Sequence, residues 1–214
     1  MKSQKLSTHV HNGYIQTFTG RMVNPLTMTA ADVDIRDIAH ALSNLCRWSG
    51  HTKRFYSVAE HSLHVWATVF HEFNGTKRDG LYALLHDAAE AYLIDVPTPL
   101  KVLPQFDWYR ETEARLERVI YGAFGLDPDG EPAIVKRADI AMRGIESRDL
   151  MGGVCAQLYA SEIPHTPHAS LLPTQFVNVE EMYLRVTGRA IRQGEDAYPN
   201  SVVTRHVQQA AVGA

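Results

Sequence analysis

Apolar side chains recur along most of this chain at intervals of three and four, the spacing that lines one face of a helix. Ile35, Ile38, Ala39, Leu42, Leu45 and Cys46 form the first such stripe, with Arg47-Trp48 at the helix end and Gly50 as the stop. Ser57 suits the N-cap of a second helix running to about Phe73, with Glu60 three residues on to complete a capping box. Its apolar stripe is Ser62, Val65, Trp66, Val69 and Phe70, which leaves His61, with His64 or Thr68, on another face. A third helix spans roughly Lys77 to Leu93, and Pro97 and Pro99 forbid its continuation. A long fourth follows from about Phe106 to Phe124, and Pro132 opens a fifth that carries Val135, Ala138, Ala141, Met142 and Ile145. Asn178 with Glu181 caps a last helix to about Gln193. Only Tyr14 to Val23, turning at Gly20, reads as a hairpin. The expected class is therefore mostly α, a helical bundle with a small N-terminal β-hairpin. The expected organisation is an N-terminal extension over 1–30, one helical domain over 31–194 and a tail over 195–214. Within these, residues 1–12 read as loose and 161–173, rich in Pro, His and Ser, as a loop.

Composition narrows the function classes. A chain of 214 residues can bury a substantial single core. A net charge of -3 argues against a binder of nucleic-acid polymer, which normally carries a basic surplus. No apolar run is long enough for a membrane span and no signal-like segment opens the chain, so a cytoplasmic protein without membrane partners is expected. Two cysteines imply no disulfide framework, and Cys46 reads as a small core residue on a helical face. Most of the eleven histidines read as scattered surface groups, His64 and His71 among them.

His86-Asp87 is different. It interrupts the apolar run Leu81-Tyr82-Ala83-Leu84-Leu85 and continues into Ala88-Ala89-Glu90. Adjacent helical residues point about 100° apart, so one group meets both only by sitting beside the helix, as a metal ion does. His61 and Asp139, on two other predicted helices, can supply further ligands, and Asp139 lies in an apolar setting where a lone charge would be costly. Two histidines with two carboxylates suit one divalent ion of the Co, Mn, Zn or Fe type, with Mg an option alongside a triphosphate. Each residue taken singly has a plainer explanation: a satisfied core histidine, or for Asp139 a pair with Arg137 or Arg143. The order His, His-Asp, Asp over three helices is far more specific than its parts.

That order resembles the HD-domain phosphohydrolases, over roughly residues 35 to 150. The stretches Leu45-Cys46-Arg47-Trp48, Phe55 to Ser62, His86 to Glu90 and Asp95-Val96-Pro97-Thr98-Pro99-Leu100-Lys101 are similar to bacterial HD 5′-deoxynucleotidases. Ile15 to Gly20 and Ile35 to Ser43 look more like a phage-associated branch that includes dATP triphosphohydrolases. The resemblance implies metal ligation by His61, His86, Asp87 and Asp139, and catalytic roles for Glu90 and Asp95. It also implies nucleotide contacts by Arg47 and Trp48, and assembly into a homo-oligomer.

The residues read alone leave room beside those roles. Glu90 falls one helical turn from His86, near a metal water or as a solvated helix-end group paired with Lys101. Asp95 sits in a proline-stiffened turn that it could simply cap. Lys101 can meet a phosphate as a point charge, and Lys53 and Arg54 could reach the outer phosphates of a triphosphate. Glu146 either supports the metal site or pairs with Arg143 or Arg148. The favoured expectation is hydrolysis of a deoxynucleoside triphosphate, dATP first, at the α-phosphorus. The alternatives are 5′-deoxynucleotidase action on monophosphates, or a non-catalytic partner-binding domain with a vestigial site. A cyclic-dinucleotide or alarmone hydrolase stands further off.

Overall fold

A computed structural model describes residues 12–164 and 178–195. Residues 1–11 of the expected loose start, 165–173 of the loop expected over 161–173 and 196–214 of the expected tail lie outside the described residues. The elements are β1 (Ile15–Gln16), β2 (Met22–Val23), α1 (Ile35–Asn44), α2 (Val58–His71), α3 (Lys77–Leu85), α4 (Glu90–Leu93), α5 (Thr98–Lys101), α6 (Asp107–Ala123), α7 (Ala133–Glu146), α8 (Gly153–Leu158) and α9 (Val179–Glu195). The fold is mostly helical with one small antiparallel hairpin, in which Ile15 pairs with Val23 and Gln16 with Met22. No helix among the described residues is long and apolar enough to cross a membrane.

Helix α2 is the hub of the bundle. It packs against α1, α3, α7 and α9 and is buried from Val58 to Val65 on every side. An enclosed helix has no polar face to give to water, so His61 and His64 are buried along with its leucine and valines. The surface position expected for His64 is thus wrong. The expected stripe also inverts in part, because Trp66 and Phe70 are the less buried members. Ser57 does cap α2, accepting from the Glu60 N–H at 3.1 Å. The Glu60 carboxylate does not reach back to close a box; the Arg54 guanidinium grips it at 2.7 and 3.0 Å.

Two helix ends differ from expectation. The first stripe stops at Asn44, where Leu45 turns extended and Cys46 bridges Ser57. Arg47 and Trp48 therefore stand on a loop rather than a helix end, and Cys46 is half-buried beside that bridge rather than on a helical face. The helix expected over Lys77 to Leu93 breaks into α3 and α4 around residues 86–89. There the N–H groups of Ala88, Glu90, Ala91 and Tyr92 bond three residues back, at 2.9–3.3 Å, in place of the four of an α-helix. Such tightening brings side chains three apart into line, which sets Asp87 over Glu90. Elsewhere the expected boundaries hold: Pro132 precedes α7, and Asn178 Oδ1 accepts from the Glu181 N–H ahead of α9.

The core closes around Leu84, Leu85, Val65, Leu116, Ile120 and Tyr183. Asp37 of α1 ties down the hairpin turn by accepting from the Thr19 N–H and hydroxyl at 2.7 and 3.0 Å. Truncating Leu84, which is wholly buried, leaves a void next to the site-bearing turn. Leu84→Ala should therefore lower unfolding free energy by about 2–5 kcal/mol, read from urea denaturation curves.

Candidate metal centre

His61, His86 and Asp87 hold donor atoms within 4.8 Å of one another, and Asp139 joins them through His61. His61 comes from the first turn of α2, His86-Asp87 from the tightened turn after α3, and Asp139 from the middle of α7. His61 Nε2 lies 3.3 Å from His86 Nε2, 3.4 Å from Asp139 Oδ1 and 3.6 Å from Asp87 Oδ2. His86 Nε2 lies 3.2 Å from Asp87 Oδ2. Both imidazoles are oriented from behind: His86 Nδ1 donates to the Ala83 carbonyl at 2.8 Å, and His61 Nδ1 to Glu146 Oε1 at 2.5 Å. With each Nδ1 carrying its proton, two Nε2 lone pairs and two carboxylates face one another.

Such a set repels itself unless protons or a cation intervene. Ligands held at about 2.0–2.2 Å from one ion sit roughly 3–3.5 Å apart, close to the spacings here. The donor set therefore fits a divalent cation. Electrostatics points the same way. Burial opposes the charged form of His86, yet the Asp87 carboxylate beside it lifts its pKa to about 9. Asp87 and Asp139 are held well below the ordinary carboxylate range despite burial, Asp87 chiefly by His86 and Asp139 by His61 and His86. Asp139 is also met by Lys136 Nζ at 2.8 Å, so its cation neighbour is Lys136 and not Arg137 or Arg143.

Glu146, the last residue of α7, is buried completely and accepts four hydrogen bonds. Oε1 takes the His61 Nδ1–H and the Tyr56 hydroxyl at 3.0 Å; Oε2 takes the Trp48 indole N–H at 3.0 Å and Arg47 Nε at 3.3 Å. Burial alone would raise its pKa, but the Arg47 guanidinium and His61 bring it down to about 2. Arg47 also donates from Nη1 to Asp87 Oδ2 at 3.2 Å. Because Tyr56 donates to Glu146, His64 Nδ1 supplies the proton in its 3.0 Å bond to the Tyr56 oxygen. Burial lowers the pKa of His64, keeping it neutral in this position.

Beside the four donors opens a cleft of about 380 Å³, a size suited to a small ligand. His86, Asp87 and Asp139 reach it, together with Arg47, Glu90, Asp95 and Lys101. Glu90 is buried, and burial together with Asp87 and Asp95 raises its pKa well above normal. Asp95 is likewise raised, first by burial. Lys101 Nζ bonds Glu113 at 2.7 Å and lies 3.8 Å from Glu90. Trp48 is not among the lining residues; its indole edge is turned to Glu146 and its ring meets Tyr159 edge-on. Lys53 and Arg54 do not line the cleft either. Lys53 Nζ docks on the Asp149 carbonyl, and Arg54 holds Glu60.

Lys136 and Arg143 line the cleft instead, three residues before and four after Asp139 on α7. That helical spacing was visible in the sequence, though nothing there distinguished them from ordinary surface cations. Glu113, Glu117 and Glu131 also line it and carried no signal at all. Glu117 is held at a pKa of about 8 by burial and by Glu113 and Glu131. A carboxyl whose folded pKa exceeds its unfolded value stabilises the fold at low pH and loses that contribution as pH rises through the folded value. Glu117→Gln should therefore flatten the fall in melting temperature between about pH 4.5 and 8, raising it most at the upper end, in thermal melts across that window.

No protein-family model matches the chain. It is 41% identical over 138 residues to the uncharacterized protein YfdR of Escherichia coli K12, covering 64% of this chain and 72% of that protein. It is also 41% identical over 133 residues to the uncharacterized protein RCAP_rcc00048 of Rhodobacter capsulatus, covering 61% and 67%. Among solved structures, the cyanophage S-2L HD phosphohydrolase DatZ, bound to dA and one catalytic Zn2+ ion, aligns with a TM-score of 0.47 and 20% identity. That alignment covers 73% of this chain and 95% of that one.

Proposed function

The chain belongs to the family of Escherichia coli YfdR, its converging His61, His86-Asp87 and Asp139 relate it to the HD-domain phosphohydrolases, and we propose that it is a metal-dependent phosphohydrolase of 2′-deoxynucleotides. The observation that carries this reading is the convergence of those four residues beside a cleft whose wall holds His86, Asp87 and Asp139 together with Arg47, Lys101, Lys136 and Arg143. Four cations at one cleft suit a phosphorylated ligand.

His61, His86, Asp87 and Asp139 would hold the ion. When bound, a divalent ion there makes water acidic enough to attack near neutral pH and screens phosphate charge. The chain's own residues do the rest. Arg47, anchored on Asp87 and Glu146, presents its remaining N–H groups to phosphate oxygens, and Lys101 adds a point charge. Glu90, favoured in its protonated form by burial and by Asp87 and Asp95, can give a proton to the departing 5′ oxygen. Asp95, on the same wall, can hold or accept the proton that water loses. A water oxygen adds to the α-phosphorus, the bond from phosphorus to the 5′ oxygen breaks, and that oxygen leaves protonated.

The preferred substrate is a deoxynucleoside triphosphate, dATP first, released as deoxynucleoside and triphosphate. Support comes from the resemblance of Ile15 to Gly20 and Ile35 to Ser43 to the phage branch, and from Lys136 and Arg143 beside Asp139. The second reading is 5′-deoxynucleotidase action on monophosphates. It is favoured by the seven carboxylates that line the cleft against four cations, a balance that suits a smaller anionic charge.

Incubating Mn2+- or Co2+-loaded protein with dATP and dAMP and resolving the products separates the two. Triphosphate and deoxyadenosine from dATP are expected. Phosphate from dAMP alone selects the second reading, and no product from any deoxynucleotide removes both. His86→Ala and Asp87→Ala should abolish turnover and divalent-ion binding together. Glu90→Gln should keep the ion and lower kcat by about 10²–10⁴-fold in steady-state assays.

A further inference from the structure

Glu146 touches both halves of this site without being one of the four candidate ligands. One oxygen faces His61 and Tyr56; the other faces Trp48 and Arg47. All four partners donate, so the carboxylate has no acceptor capacity left over. A burial this complete ordinarily suits an apolar side chain, and α7 supplies Met142 and Ile145 within the preceding turn.

We propose that Glu146 is a positioning residue that serves cation and nucleotide at once, fixing the His61 tautomer through one oxygen and the Arg47 guanidinium through the other. The inference rests on the phosphohydrolase reading for its nucleotide half, while its cation half stands on the donor geometry. By holding the His61 proton on Nδ1, Glu146 leaves Nε2 free towards His86, Asp87 and Asp139. By accepting from Arg47 Nε, it shares that guanidinium with Asp87, itself one of the four donors. The two functions are linked through a single side chain that cannot turn without giving up one of them.

Glutamine exposes this linkage because it accepts on one side only. The Arg47 and Trp48 N–H groups can only donate, so the carbonyl turns to them and the amide to His61 and Tyr56, and His61 loses its acceptor. Calorimetric titration of metal-free protein with Mn2+ should therefore show Glu146→Gln binding about 10–100-fold more weakly than wild type. Nitrogen-15 spectra of the histidine rings should show His61 losing its single Nδ1–H tautomer. Glu146→Leu accepts from neither pair, so at saturating Mn2+ its KM for whichever deoxynucleotide is turned over should rise more than kcat falls, because Arg47 is misplaced. Tyr56→Phe is the control for a purely structural disturbance of the same buried network. It removes one donor and keeps the carboxylate, so Mn2+ affinity should stay within a few-fold of wild type.

A folded Glu146→Gln with wild-type Mn2+ affinity and His61 tautomer overturns the proposal. So does Tyr56→Phe weakening Mn2+ as much as Glu146→Gln does, and so does an unchanged KM in an active Glu146→Leu. If wild type turns over no deoxynucleotide, the phosphohydrolase reading and the nucleotide half fail together. The titration and the spectra still decide what Glu146 does for the cation.

Discussion

A negative charge buried at the centre of a helical bundle is the constraint around which this structure is arranged. The Glu146 carboxylate has no access to water, and an ion so placed is tolerable only when its lone pairs are met by donors. Those donors come from three places in the chain: the loop after α1, the residue before Ser57, and the first turn of α2. Meeting them fixes more than the charge. The loop carrying Arg47 and Trp48 is pinned at both ends, by Glu146 at one and by the Cys46–Ser57 bridge at the other. Trp48 and Ser49 there adopt left-handed backbone, φ 55 and 50, which side chains of their kind avoid at a cost of about 1–3 kcal/mol each. The indole bond to Glu146 is the visible compensation.

The second device is the tightened turn at residues 86–89. A continuous helix would place His86 and Glu90 one above the other and swing Asp87 away by about 100°. Bonding three residues back draws Asp87 over Glu90, so that a cation-facing carboxylate and a proton-holding carboxyl share one wall. Their mutual repulsion contributes to the raised pKa of Glu90. Local backbone geometry thus adds to an acid–base character that burial sets first.

Much of this was legible in the sequence where the controlling interactions are local. The N-caps at Ser57 and Asn178, the proline before α7 and the stripes of α1, α6 and α7 depend on neighbours within a turn or two. The four candidate ligands were legible through their order along the chain. What escaped was set by contacts distant in sequence. No Gly or Pro marks the break after Leu85, because the turn is held by the convergence of α2 and α7 on His86 and Asp87. His64 read as a surface group since nothing in its neighbours reveals that α2 is enclosed. Arg54 looked free to meet phosphate until Glu60, on the first turn of α2, claimed it. Trp48 looked like a flat wall for a base, whereas its edge is taken by a carboxylate 98 positions away.

The wall that gathers a cation also governs what can follow it. Seven carboxylates and four cations around one cleft give a surplus of negative charge before any ligand arrives. Two features reduce it: burial favours the protonated forms of Glu90 and Glu117, and a divalent ion between His61 and Asp139 would offset two further charges. Without the ion, an incoming phosphate would meet Asp87 and Asp139 at close range. In a partly dehydrated cleft that repulsion is strong, because unit charges a few ångströms apart interact by several kcal/mol at the effective dielectric near a protein surface. On electrostatic grounds alone, loading by a cation would precede or accompany binding of such an anion. Arg47 reinforces that order, since its guanidinium is already committed to Asp87 and Glu146 and reaches a phosphate only with the N–H groups those carboxylates leave over.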